Sequence, residues 1–157
     1  MKKVGNLIHV ACGLDPGDKG AVIGFDSDHT KQFELPFYKK RLETFWFFYN
    51  HRGIYYFDIL QEEVWGQLGS GTKQIFGFGK SCGFVRDLVE LTKITCNVEL
   101  IEPQMWKKEF SLLKKPKEAA NEVVKRLDGE YTHADLMDAR LIAELKWRRT
   151  FAGGLYI

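Results

Sequence analysis

Gly13-Leu14-Asp15-Pro16-Gly17-Asp18-Lys19-Gly20-Ala21 is the stretch on which the reading of this 157-residue chain turns. The apolar run from Leu7 to Leu14 suits a strand buried on both faces, and it delivers Asp15 at its carboxyl end. Two readings are open at this point. Asp-Pro-Gly is a common turn former, so the segment can be a plain hairpin between Leu14 and Ala21. Alternatively Asp15 is the first carboxylate of a cation site, because a charge at a buried strand end is costly unless something compensates for it.

Working outward, Ala21 to Asp26 and Lys31 to Leu35 read as the second and third strands of a meander, with Asp26-Ser27-Asp28 turning between them. From Tyr38 to Tyr49 the recurrence of Leu42, Phe45, Trp46 and Tyr49 predicts a helix whose aromatic face is core or dimer contact. Ile54 to Val64 suits a central strand that closes on Glu62 and Glu63, only one of which can face a given site. A glycine-rich segment, Gly66 to Lys73, leads to a helix over about Thr72 to Thr92. Cys96 to Ile101 reads as a short strand stopped by Pro103. Lys117 to Leu127 is helical in pattern, with Pro116 where a first turn tolerates proline and Asp128-Gly129 as its end.

The last helix is expected from Thr132 to about Arg149. On a wheel of 100° per residue, Ala134, Leu141, Ile142 and Leu145 form an apolar arc, and Asp138 falls inside it. Asp135 lies three residues earlier on the same face. With Thr132 as N-cap, Asp135 can serve the helix dipole and a capping box, but Asp138 lies beyond the first turn. Two such neighbouring charges raise each other's cost unless a cation lies between them.

Length and composition suit one domain over residues 1–157, without repeats or low-complexity tracts. The N-terminus lacks a signal-peptide pattern and no apolar run is long enough to span a bilayer, so the expectation is a soluble intracellular protein. Cys12, Cys82 and Cys96 are odd in number and lie in apolar segments, which predicts reduced core thiols rather than disulfides or a zinc site. The net charge is only +2, yet Lys107 to Arg126 carries seven basic residues against three acids. That segment can hold a phosphate backbone or can simply be a solvated lysine-rich surface.

Asp15, Glu62, Asp135 and Asp138 are thus four candidate acids. Oxygen ligands without His or Cys suit Mg²⁺ better than zinc. Two such ions roughly 4 Å apart activate water on one side of a phosphodiester and stabilise the leaving oxygen on the other. Three meander strands, a helix, strand four, a helix, strand five and further helices give the element order of an α/β, RNase H-like fold with a five-stranded mixed sheet.

On these residues the chain resembles the RuvC family of Holliday junction resolvases, in particular its short phage-encoded members. Gly13-Leu14-Asp15-Pro16-Gly17 is similar to the family's strand-one motif, and Glu62-Glu63-Val64-Trp65 to its Glu-x-Val-aromatic motif. Phe78-Gly79-Lys80-Ser81-Cys82-Gly83 resembles the following small-residue helix, and His133 to Ala143 the final helix ending Asp-Ala-x-x-Ile-Ala.

The resemblance implies a homodimeric endonuclease of the bacterial host cytoplasm that uses Mg²⁺, with Mn²⁺ as a substitute, to nick two strands of a four-way DNA junction symmetrically. It needs no membrane and no small-molecule cofactor. Asp15, Glu62 and Asp138 would be metal ligands and catalytic residues. Asp135 takes the fourth position, which the family fills with aspartate or histidine, and His133, off register by two residues, would support the ligands without touching the metal or would be a surface histidine at the helix start. Trp65 would stack near the junction centre, and Lys80, Lys107 and Lys117 would contact DNA. The Gly-Ser-Gly between Gly66 and Lys73 departs from the family pattern. The competing readings are a less selective fork and flap nuclease, an actin-like nucleotide-binding module, and an inactive DNA-binding domain.

Overall fold

The computed structural model describes residues 1–63, 83–130 and 132–153, so Trp65, Lys80, Cys82 and the Gly66 to Lys73 loop lie outside the described residues. Its strands are β1 (Lys3–Val4), β2 (Leu7–Asp15), β3 (Ala21–Phe25), β4 (Lys31–Pro36), β5 (Tyr55–Glu62) and β6 (Thr95–Ile101). Its helices are α1 (Arg41–His51), α2 (83–92), α3 (Pro103–Glu109), α4 (Lys117–Asp128) and α5 (Ala134–Phe151).

The sheet runs β4-β3-β2-β5-β6, with β1 paired to β2 at its start. β2, β3 and β4 form the antiparallel meander, and β5 and β6 join β2 in parallel. The mixed α/β, RNase H-like arrangement expected from the element order is therefore present.

Alternation along β2 and β5 sorts their side chains between two cores. Val10, Cys12, Leu14, Phe57 and Ile59 face one side, where Phe48 of α1 and Val85 and Leu88 of α2 cover them. Phe48 and Phe57 are fully buried, each adding about 1.5–3 kcal/mol of apolar burial. The opposite side carries Leu60, which packs with Trp106, Val124, Met137, Leu141 and Ile142 of α3, α4 and α5. α5 also lies on β3, where Ala139 and Ala143 meet Ala21 and Ile23.

Because α5 is buried on most of its circumference, its charged residues need internal partners. Arg140 reaches Asp128 at 2.7 Å and Glu144 at 3.1 Å, and Glu144 accepts from Arg148 at 2.8 Å. Further along, the Lys146 ammonium lies 2.8 Å from Asp58. His9 and Asn97 complete the surroundings of that carboxylate, each at 3.1 Å.

Several expectations change. α1 starts at Arg41 rather than Tyr38, and Leu42, Trp46 and Tyr49 are exposed, whereas Thr44 and Phe48 enter the core. That helix is aromatic nearly all round, so its periodicity does not select a buried face. Pro103 occupies the first turn of α3, a helix the sequence reading omitted, rather than merely ending β6. The N-cap of α5 is His133, not Thr132, and its side chain accepts from the Asp135 N–H. Ala134 is exposed, outside the apolar arc assigned to it.

Candidate active site

Asp15 and Glu62 end the two central parallel strands. Leu14 and Gln61 are register partners, so the two acids follow side by side, and both belong to the face that α5 covers. Asp138 approaches from the first turns of α5, which runs antiparallel to these strands: Ala139 and Ala143 lie over Gly13, and Lys146 over Asp58. Glycine at position 13 is required by that contact, because an added Cβ would meet the backbone nitrogen of Ala143 at 2.0 Å.

The Asp15 turn is built from within. The Gly17 N–H donates to Asp15 Oδ1 at 3.0 Å, and the Gly20 N–H donates to the Gly17 carbonyl at 2.8 Å. A Cβ on Gly20 would stand 2.0 Å from the Asp15 carbonyl oxygen. Thus Gly13 and Gly20 serve close backbone packing. Glu62 is held from another direction: the Trp106 indole N–H donates to its Oε2 at 2.6 Å. Sequence reasoning missed Trp106, whose position in α3 depends on the overlooked helix.

Electrostatics ties the acids together. Burial pushes the Glu62 carboxyl up to about 7; the Trp106 hydrogen bond opposes this, and the charges of Asp15 and Asp138 add to it. Asp15 is raised chiefly by burial, against the Gly17 N–H, with Asp138 and Asp135 raising it further. Asp138 is raised by burial, while Lys107 and Lys117 pull it down. Both lysines therefore lie within electrostatic reach of the acids. A cleft of about 390 Å³ beside Asp138 is lined by Lys107, Lys114, Lys115 and Lys117 together with Trp106 and Met137.

Asp135 stands at the edge of this group and is partly exposed; its Oδ2 lies 3.6 Å from Nδ1 of the exposed His133. His133 thus touches Asp135 and caps α5. Asp15, Glu62 and Asp138 fit a hard cation in donor chemistry and in mutual repulsion. Among the described residues, however, no three His, Cys, Asp or Glu side chains form a group that would hold an ion as they stand. Gathering these oxygens onto one ion requires side-chain movement.

No protein-family model matches the chain, and no curated protein matches it. Similarity is found among solved structures. RuvC of Thermus thermophilus in complex with a Holliday junction substrate superposes with a TM-score of 0.62 at 15% identity, covering 94% of this chain and 97% of that one. A second structure of Thermus thermophilus RuvC gives a TM-score of 0.59 at the same identity and coverage. The fold of this chain is that of the RuvC Holliday junction resolvase structures, an RNase H-like fold.

Proposed function

We propose that the chain is a Mg²⁺-dependent endonuclease that nicks four-way DNA junctions as a homodimer. The observation that carries this reading is that Asp15, Glu62 and Asp138 lie within electrostatic reach of one another beside the Lys107 and Lys117 cleft, at the carboxyl ends of β2 and β5. Fold likeness to a RuvC solved with a Holliday junction supports the choice of substrate.

Asp15, Glu62 and Asp138, with Asp135 at the rim, would hold the ion. When bound, Mg²⁺ supplies an activated water and positive charge for the leaving oxygen of a phosphodiester. The chain's own contribution is positional. Gly17 and Trp106 orient the Asp15 and Glu62 carboxylates, while Lys107 and Lys117 hold the phosphate backbone. Glu62 must lose its proton to become a ligand, so cation affinity rises with pH through about 7. A homodimer is supported by exposed apolar residues on and beside the β6 edge: Leu91 of α2, and Val98 and Leu100.

The test is cleavage of labelled four-way junctions, three-way junctions and flaps, with Mg²⁺ and with EDTA. Mg²⁺-dependent paired nicks in the four-way junction are expected. Equal cleavage of all branched substrates would favour the broader fork and flap nuclease, and cleavage in EDTA would remove the metal assignment.

A further inference from the structure

We propose that Lys19, Tyr38 and Lys39 form a nucleotide-binding step next to the Asp15 turn. It takes one unpaired nucleotide of the DNA strand, the base against the Tyr38 ring and the phosphate at the two ammonium groups. The inference rests on the nuclease reading and names a part of the substrate surface that the acids and the Lys107 cleft do not reach.

The surface is tied to the Asp15 turn by the backbone. The Phe37 N–H donates to the Gly20 carbonyl at 2.9 Å, and Arg41 pairs with Asp18 at 2.9 Å. Tyr38 follows directly and is half exposed. Its ring has the Lys39 ammonium at 5.3 Å and the Lys19 ammonium at 6.0 Å from the centroid. Among the described residues neither lysine has a carboxylate partner. Two cations over one half-exposed aromatic ring complement an anion joined to a flat π system, which is the chemistry of a nucleotide.

Shape and backbone agree with this. Asp18, Phe37, Tyr38, Lys39, Arg41 and Leu42 line a hollow of about 460 Å³, within the size range of small-ligand sites. Lys39 has φ of +55°, a conformation that favours glycine or asparagine. That conformation fixes where the lysine stem leaves the turn, beside the Tyr38 ring.

The experiment uses the full chain and a fluorescent four-way junction in EDTA, with affinity measured by anisotropy across a salt series. Tyr38→Ala is expected to bind roughly 5- to 150-fold more weakly, the range for loss of one stacked base, and Tyr38→Phe within about twofold of the parent. Lys19→Ala with Lys39→Ala lowers the salt slope by about 1.4 to 1.8, as removal of two phosphate contacts requires. Lys39→Gly raises Tm by ~2–4 °C while weakening binding.

Parent-like affinity and slope in Tyr38→Ala and in the double lysine variant, with Lys107→Ala weakened, overturn this step and leave the nuclease reading standing. A parent protein that binds no junction overturns both. A changed sedimentation coefficient of DNA-free Tyr38→Ala means that the surface joins copies of the chain, which also overturns the proposal.

Discussion

Gly13 and Ala143 meet backbone to backbone: a Cβ on Gly13 would lie 2.0 Å from the Ala143 nitrogen and 2.4 Å from the Ala139 carbonyl oxygen. This contact seats α5 on β2 and so sets how far Asp138 stands from Asp15.

Gly13→Ala should therefore destabilise the chain by about 3 kcal/mol or more, through overpacking that backbone atoms cannot relieve. Adding Ala143→Gly should not rescue it, since the clashing atoms are main chain. Urea unfolding of both variants checks this, and a loss below about 1 kcal/mol would show that α5 is not held as described.

Glu62 makes stability depend on pH with a definite sign. Its carboxyl rises from 4.5 to about 7 on folding, so the folded state holds the extra proton between those values. Metal-free stability is thus present at low pH and falls as pH rises through this window, by about 2–3 kcal/mol for this partly solvated group. Glu62→Gln keeps an acceptor for Trp106 and removes the titration. It is expected to reduce the slope of stability between pH 5 and 7 in EDTA and to abolish cleavage in Mg²⁺. A slope equal to the parent's would show that the site's pH dependence comes from another group.

Lys107 acts on the acids and, under the proposed function, on the substrate. Lys107→Ala removes a charge that lowers the Glu62 and Asp138 carboxyls and, under the proposed function, one phosphate contact. The variant should bind junctions more weakly, with the salt slope reduced by about 1, and its cleavage profile should shift to higher pH. Anisotropy titrations and rate against pH read the two effects separately. An unchanged slope would remove Lys107 from the DNA-binding surface.

At the other end of α5, Lys146 and Asp58 are both buried and joined at 2.8 Å. Burial works to raise the Asp58 carboxyl, but hydrogen bonds from Lys146, Asn97 and His9 outweigh it and hold Asp58 below its usual value. Lys146→Met should cost about 3–5 kcal/mol, because it strands a buried carboxylate. The added Asp58→Asn change should recover part of that. Calorimetric or urea melts of the single and double variants decide it, and additive losses would show that the pair is not coupled.

Trp106 shows where reading the chain alone stops. Pro103 reads as the end of the Cys96 to Ile101 strand although a proline also suits a first helical turn, and only the packing of α3 against Leu60 and α5 brings the indole onto Glu62. Of the stripe Leu42, Phe45, Trp46 and Tyr49 only Phe45 packs on the core, for a related reason: aromatic residues all round α1 leave its buried face to be chosen by the sheet. Likewise Arg140, Glu144 and Lys146 are charged residues of a helix, yet Asp128, His29 and Asp58, from outside that helix, compensate for their burial.

What the sequence determined by itself was the order of strands and helices apart from β1 and α3, and four candidate acids, because apolar periodicity and a charge inside an apolar arc are local signals. Asp15, Glu62 and Asp138 were legible for that reason. The tertiary structure alone decided the α5 to Gly13 contact, the hold of Trp106 on Glu62 and the placing of Tyr38 beside Lys19. Each joins residues through space on surfaces whose shape no local pattern encodes.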